Sequence, residues 1–365
     1  MIKNVEARMT KSEGMTKHET KTRPFDRAES NFGDKCSVVV PQPSVAIPST
    51  MRAAVITAPG NVDIVQTEIP QPNADQILVR IKGCGVCASN IPPWEGKPWF
   101  TYPMDRGALG HEAWGSVAEV GSAVRDFTKG DRVAILSNHA YAEYEVCDSS
   151  SAVKLPLGFA DQPFPGEPLG CAMNIFGRSN IGRDDTVAVV GIGFLGALLI
   201  QLACATGARV IAIDRRVFAL GLAKQIGATQ TITLADDAIE NVKSLTNGNL
   251  CDVVVECTGK QWPLEVAGEI TRERGRLVIA GYHQDGPRQV NMQLWNWRGF
   301  DVINAHERDP TVAVRGMREA VAAIEAGLID PQVLITHRYP LERLGEALDA
   351  TRDRPGNFVK AVVVP

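Results

Sequence analysis

An apolar run, Val187-Ala188-Val189-Val190, leads straight into Gly191-Ile192-Gly193-Phe194-Leu195-Gly196. A helix-compatible stretch follows from Ala197 to Ala203, and then a second apolar run, Val210-Ile211-Ala212-Ile213, ends at Asp214. Nothing else in the chain narrows the fold as much. A strand, a G-x-G-x-x-G turn, a helix, a second strand and an acid about 20 residues on form one dinucleotide-binding unit. Gly191 permits the tight turn, Gly193 lets the backbone approach a pyrophosphate, and Gly196 lets the helix pack on the strand. The free N–H groups at the helix start, around Phe194 and Leu195, offer partial positive charge to phosphate. Asp214 can accept hydrogen bonds from ribose hydroxyls and repels a 2′-phosphate, so NAD is the expected cofactor. Arg215 and Arg216 follow at once and can tolerate a phosphate, which keeps NADP as the second choice. A glycine turn without a ligand is the plain alternative, and the acid at the strand end weighs against it.

A chain of 365 residues is long enough for two cores. Its formal net charge of −4 gives no electrostatic case for nucleic acid or an anionic membrane as partner. No apolar stretch reaches transmembrane length, and no signal-peptide pattern opens the chain. The eight cysteines are scattered, and Cys204, Cys251 and Cys257 lie in apolar segments where a thiol acts as a small hydrophobe. Beside a nucleotide-binding pattern, this usage suits a reducing cytoplasm.

Residues 1–50 read differently from the rest. Up to residue 35 they are polar and mixed in charge, and then proline-rich at Pro41, Pro43 and Pro48. Such a segment buries too little apolar area to offset its ordering entropy, so a disordered arm is expected. A binding or targeting arm is one alternative. Another is a translation start at Met51, which opens the strand-like Met51-Arg52-Ala53-Ala54-Val55. Short strands are expected at 53–57, 77–81, 115–120 and 132–136, separated by Pro and Gly clusters. From 167 to 304, strands at 187–190, 210–213, 231–233, 253–256, 277–280 and 301–304 alternate with helices at 218–226, 237–244 and 263–270. That alternation predicts a doubly wound parallel sheet. A helix at 314–326, a strand at 335–339, a helix at 341–350 and a strand at 360–364 complete the chain.

Metal-type donors occur in three places: Cys87, the pair His111-Glu112, and Glu167 with Cys171. Thiolate, imidazole and carboxylate suit Zn²⁺, whose catalytic sites use three protein ligands and an open fourth position. Spacing alone leaves these residues as core residues, because they are far apart in sequence. Their surroundings add more. Cys87-Ala88-Ser89-Asn90, Gly110-His111-Glu112 with Gly115, Gly130-Asp131-Arg132-Val133 and Ala142-Glu143-Tyr144 stand in order before the nucleotide unit, and His337-Arg338-Tyr339-Pro340-Leu341-Glu342 follows it. Together they resemble the medium-chain zinc-dependent alcohol dehydrogenases, from Met51 to the last residues.

The resemblance implies a Rossmann doubly wound parallel sheet over 171–304, and a mostly β, GroES-like catalytic domain formed by 51–170 and 305–365. It implies one catalytic zinc on Cys87 and His111. The third ligand is Cys171 in the favoured reading, with a carboxylate from Glu112 or Glu167 kept open, as in the family's polyol and sugar dehydrogenases. Glu112 also approaches the metal while ligands exchange. A structural zinc is not implied, because residues 134–141 lack the family's four cysteines. Cys84 and Cys87 have no second C-x-x-C, so a redox pair or zinc knuckle is set aside. Asn90 stands where the family has an Asp that orients the metal-bound histidine. An amide can still hydrogen-bond His111, without the charge.

The activity implied is reversible hydride transfer between an alcohol carbon and a nicotinamide, with zinc as Lewis acid. Ser89 matches the family hydroxyl that takes the alcohol proton. Pro92 and Pro93 fill the stretch where some members carry a relay histidine. His139 is the alternative relay or a contact to a substrate hydroxyl, its plain reading being an exposed loop histidine. Trp94, Trp99 and Phe100 suggest an aromatic wall for a ring-shaped or apolar substrate. Trp295 and Trp297 precede the strand at 301–304, which resembles the family's subunit-pairing edge, so a homodimer or homotetramer is implied. The expected substrates are secondary alcohols, polyols or sugar-like alcohols. A zinc-free quinone or enone reductase and a non-catalytic nucleotide-binding redox sensor are the alternatives, and the retention of Cys87, Ser89 and His111 argues against both.

Overall fold

Alternation of buried and exposed residues builds the first half of the chain. In the computed structural model, which describes residues 46–159 and 162–365, β1 (Thr50–Ala58) and β2 (Asn61–Glu68) form an antiparallel hairpin. β3 (Gln76–Gly85) is followed by the short helix α1 (Ile91–Trp94), then by β4 (Glu112–Val120), β5 (Arg132–Ile135), β6 (Tyr144–Asp148) and β7 (Ala152–Lys154). A long helix, α2 (Gly166–Ser179), leads out of this half.

Next come β8 (Thr186–Val190), α3 (Phe194–Ala205), β9 (Arg209–Asp214), α4 (Val217–Gln225), β10 (Gln230–Thr233), α5 (Ala238–Leu245) and β11 (Cys251–Glu256). They are followed by α6 (Gln261–Ile270), β12 (Thr271–Ile279), α7 (Met292–Arg298) and β13 (Asp301–Asn304). The chain then returns to the first half through α8 (Pro310–Glu325), β14 (Ile335–Pro340), α9 (Leu344–Asp353) and β15 (Lys360–Val364). Asp309 starts α8: its carboxylate accepts from Thr311 N at 2.8 Å, and Pro310 occupies a position where its missing N–H costs nothing.

Two larger sheets organise these elements. One runs β14-β15-β3-β4-β5-β7, with β6 also on β3. The other is wholly parallel and runs β10-β9-β8-β11-β12-β13. Val187, Ala188, Val189 and Val190 are all 0% exposed, as expected of a parallel strand covered by helices on both faces. Strand order reverses between β8 and β11, which creates the crevice where α/β sheets bind ligands. The expected fold class is therefore the observed one.

Several details differ from the sequence reading. β2, β7, α2 and α7 are additional, and α2 runs straight through the expected boundary between 170 and 171. β12 begins at Thr271 rather than 277, because a register shift and a left-handed Arg274 (φ 54°) interrupt its pattern. The arm expected over 1–50 lies outside the described residues up to 45. Its last residues are already structured: Ile47 packs against the cluster containing Met51 and Ala53, Ser49 O accepts from Ile69 N at 3.3 Å, and Thr50 opens β1. Among the described residues, no helix is long and apolar enough to cross a membrane.

Candidate metal centre and dinucleotide crevice

β3 ends at Gly85, and the chain bends through Val86 and Cys87 into a 3-10 turn over Ala88–Asn90. The Cys87 sulfur caps that turn by accepting from Ser89 N at 3.5 Å. Pro92 and Pro93 then sit in the first turn of α1, where no intrahelical N–H is needed. On the neighbouring strand, Glu112 pairs with Gly85. A Cβ at position 85 would lie 1.9 Å from Glu112 Oε2, so only glycine admits this carboxylate. His111 precedes β4, next to a bend in which Leu109 has φ 72°. The Leu109 carbonyl accepts from His111 Nδ1 at 2.9 Å. A carbonyl can only accept, so Nδ1 carries a proton, and Nε2 is the nitrogen that would ligate a cation on giving up its own.

Among the described residues, Cys87, His111 and Glu112 are the one group of three whose donor atoms all lie within 4.8 Å of each other. Burial pushes the His111 imidazole down, but the Cys87 sulfur, Glu167 and Glu112 outweigh it and lift its pKa to about 10. Burial raises Glu167 above the usual carboxylate range, and Glu112 adds to the rise. Burial and Glu167 together lift the Cys171 thiol well above its usual value. Donors crowded this way with too little positive charge form a place that a divalent cation neutralises. Lys360 Nζ bonds Glu112 Oε1 at 2.7 Å and lies 2.5 Å from Oε2. Both carboxylate oxygens thus face the one ammonium, and Oε2 has no other hydrogen-bond donor. The donor set of sulfur, imidazole and carboxylate fits zinc.

Glu167 and Cys171 lie four residues apart on α2 and so share one face. The Cys171 thiol donates to Glu167 Oε1 at 3.1 Å. Both stand beside the Cys87–His111–Glu112 group and interact with it electrostatically. Ser89 is part-buried on the Cys87 turn, its hydroxyl 3.5 Å from Asn90 Oδ1.

Two expectations change, for Asn90 and Trp94, and His139 is placed. Asn90 does not bond His111: its amide donates to Tyr141 Oη at 2.8 Å, and Tyr141 in turn donates to Gly85 O. The Leu109 carbonyl has taken the orienting role instead. The His139 ring lies 3.9 Å from both Asp105 and Glu145, in a groove of about 450 Å³ also lined by Met51, Arg106 and Val146. His139 is not one of the three residues of the metal-type group, although its backbone pairs with Gly110, next to His111. Trp94 is 3% exposed and donates to Asp349 Oδ1 at 2.9 Å, so it is core rather than a substrate wall.

The glycine turn behaves as its spacing predicts. Gly191 has φ 96°, and a Cβ at Gly196 would meet Gly191 O at 2.1 Å. At Gly193 a Cβ would meet only Arg354 Nη1, at 3.7 Å, so this side of the turn is open to a pyrophosphate. The turn leads into α3 through Phe194 and Leu195. Asp214 is 6% exposed at the end of β9 and accepts from Ile192 N at 2.7 Å. Its other oxygen accepts from Arg216 N at 2.8 Å and Nε at 3.3 Å, while Arg215 is exposed beside it.

Lys360 joins the two regions. Its ammonium bonds Glu112 and lies 5.1 Å from the centroid of the Phe194 ring. The sequence reading does not single it out. The available signal was a lysine inside the apolar run Val359-Lys360-Ala361-Val362, a charge that must be paired if it is buried.

Comparison with known proteins fits this geometry. Residues 195–321 match the family model described as zinc-binding dehydrogenase. Residues 73–172 match that of the alcohol dehydrogenase GroES-like domain. A sorbitol dehydrogenase of Bacillus subtilis is 25% identical over 352 residues, spanning 87% of this chain and 98% of its own. Human sorbitol dehydrogenase is 27% identical over 335 residues, spanning 81% and 91%. Among solved structures, a candidate zinc-binding dehydrogenase of Sinorhizobium meliloti 1021 bound to NADP superposes with a TM-score of 0.76 at 28% identity, covering 87% of this chain and all of that one.

Proposed function

The chain belongs to the medium-chain dehydrogenase/reductase family, and we propose that it is a zinc-dependent oxidoreductase that moves hydride reversibly between an alcohol and NAD. The substrate class is a secondary alcohol, a polyol or a sugar-like alcohol, in keeping with the sorbitol dehydrogenases among its relatives. One observation carries the reading. Lys360 Nζ stands 2.7 Å from Glu112 Oε1 and 5.1 Å from the Phe194 ring, so the metal-type group and the dinucleotide turn meet at one residue. Hydride transfer to a nicotinamide needs an oxygen-activating group within reach of the bound cofactor, and this contact brings the two regions together.

A zinc ion held by Cys87 and His111, with Cys171 or a carboxylate of Glu112 or Glu167 as third ligand, would supply Lewis acidity that lowers the pKa of an alcohol hydroxyl. The nicotinamide supplies the redox chemistry. The chain's own residues do the rest. The Leu109 carbonyl fixes the His111 tautomer, leaving Nε2 to ligate. Ser89, on the same turn as Cys87, accepts the alcohol proton, since a hydroxyl can accept and donate at once. Gly193 admits the pyrophosphate, and Asp214 orients the adenosine ribose.

The same proposal includes a division into 51–170 with 305–365 and 171–304, one zinc ion per chain, and a homodimer or homotetramer pairing through β13, which is the edge of its sheet and leaves Val302 44% exposed. It also includes a cytoplasmic setting, in keeping with the free thiols of all the described cysteines. NADP is the second reading. Arg216 pairs with Asp214 and offsets its charge, Arg215 stands alongside, and the Sinorhizobium meliloti relative is bound to NADP. The deciding experiment combines metal analysis with an activity panel of alcohols, polyols and carbonyls, using both cofactors, on zinc-loaded and chelated protein. Zinc-dependent polyol or alcohol turnover is the expected result. Reduction of quinones or enones by protein that binds no zinc would overturn it.

A further inference from the structure

A second polar network lies at the C-terminal ends of β8 and β11, buried at Glu256 and open to solvent at Lys260. Glu256, the last residue of β11, is 0% exposed. Its carboxylate accepts from Thr258 N at 2.6 Å, from Gly259 N at 3.0 Å, and from the Thr258 hydroxyl. His283, on the loop after β12, places Nε2 3.0 Å from Glu256 Oε2. Its Nδ1 receives Arg288 Nε at 2.8 Å. A guanidinium does not give up its proton, so Nδ1 must be the acceptor and Nε2 carries the hydrogen offered to Glu256. The hydrogen-bond pattern therefore assigns a neutral imidazole in a single tautomer.

Arg288 Nη2 also donates to Gly259 O at 2.7 Å, which closes a ring with the turn that Glu256 holds. Asp285 pairs with Arg288 and with Lys260, which hold its carboxyl well below the usual range. Two carboxylates, two cations and a neutral imidazole balance to zero charge. The covered part of such a network, here Glu256, His283 and Arg288, holds a single geometry only when its members are satisfied in this way. Segment 281–288 is thus clamped onto turn 256–260. One residue of the segment reaches out: Gln284 Nε2 donates to Ala88 O at 3.1 Å. Ala88 lies between Cys87 and Ser89.

We propose that Gln284 is a positioning residue for the Cys87–Ser89 turn, and that the Glu256–His283–Arg288 chain serves to aim it. The network carries the geometry of the nucleotide sheet across to the turn that bears a metal donor and the proton-accepting hydroxyl. The proposal rests on the dehydrogenase reading only for what that turn does. The physical coupling itself is independent of any reaction. Two groups from different halves of the chain must be held in register for hydride transfer, and small misplacements at such a junction cost rate rather than affinity.

The test uses the full-length protein with Gln284→Met, which keeps volume but removes the donor, and with His283→Leu and His283→Gln. Amide hydrogen exchange over residues 86–95, thermal unfolding, and kcat and cofactor KM are measured. For Gln284→Met, exchange over 86–95 should quicken about fivefold, as for loss of one net hydrogen bond, with an unchanged unfolding midpoint. Its kcat should fall about tenfold while cofactor KM stays within about twofold. His283→Leu should reproduce both effects and also loosen 281–288. His283→Gln, which keeps a donor toward Glu256, should restore part of each.

Unchanged exchange over 86–95 in Gln284→Met would overturn the proposal. So would a His283→Leu variant that loosens 281–288 and leaves 86–95 protected. If His283→Leu does not fold, Gln284→Met alone decides. Absence of any turnover by the wild-type protein would defeat the dehydrogenase reading and leave the exchange result to stand by itself.

Discussion

Replacing Lys360 with methionine isolates one buried charge. Lys360 and Glu112 are 5% and 0% exposed, and the ammonium bonds the carboxylate at 2.7 Å. Methionine has similar length and volume, so the change removes a charge rather than opening a large cavity. Burial pushes the Lys360 ammonium down, but Glu112, the Cys87 sulfur and Glu167 outweigh it and hold its pKa above the ordinary 10.5. Removing one partner of a buried pair costs about 3–5 kcal/mol, because the remaining charge is left uncompensated. Against a total stability of roughly 5–15 kcal/mol, that loss is large. Adding Glu112→Gln removes the stranded charge, so the double variant should regain most of the loss, with a coupling energy of at least about 2 kcal/mol. The assay is urea unfolding of metal-free protein at neutral pH. A lysine whose folded pKa is raised contributes fully below 10.5, and the contribution is lost only as pH climbs through the folded value. Zinc added to the single variant should restore stability, since a cation again stands beside Glu112. A cost under about 1 kcal/mol, the range of an exposed pair, would refute the reasoning. Failure of Glu112→Gln to rescue would do the same.

Other outcomes follow from the same geometry. In metal-stripped protein the His111 pKa lies near 10, above its ordinary 6.5, so its stabilisation is present below 6.5 and lost as pH rises through about 10; urea midpoints across that window should fall, and His111→Asn should flatten the trend. Zinc loading near pH 8 should expel more than one proton, since His111 is an imidazolium below about 10 and a ligating thiol loses its hydrogen outright, measured by calorimetry in two buffers. If Cys171 is the third ligand, Cys171→Ser should weaken zinc binding by at least about 100-fold and remove part of the thiolate absorption of a cobalt-loaded protein; unchanged binding would assign the position to a carboxylate. Asp214→Ser should raise the dissociation constant of NADH about tenfold while leaving that of NADPH equal or lower, read by fluorescence titration, and an equal loss for both cofactors would count against Asp214 as the ribose acceptor.

The nucleotide half was legible because its chemistry is local. β8 and β9 are apolar runs buried on both faces, and the glycines between them carry their own spacing signal. The first half was harder. β2, Asn-Val-Asp-Ile-Val-Gln-Thr-Glu, is partly exposed along its length and presents no continuous apolar run. α2 begins at a glycine after Pro165 and carries Gly170 and Gly177 inside it, residues that read as breakers until the packing against α8 is known. At the metal-type group, Cys87 and His111 were recoverable from the family pattern. Lys360, Gln284 and the Leu109 carbonyl were not, because each acts through a contact set by tertiary folding rather than by neighbours in sequence. Asn90 failed for the same reason: its amide could reach either His111 or Tyr141, and only the buried hydroxyl's position decides between them.

The ion pair between Glu112 and Lys360 joins residues 248 positions apart, with the whole parallel sheet encoded between them. Synthesis on the ribosome therefore delivers Cys87, His111 and Glu112 long before the lysine that neutralises the glutamate. The charge balance around Glu112 is therefore complete only once the last strand has docked beside β3, so the first half of the chain depends on its C-terminus for electrostatics as well as for packing.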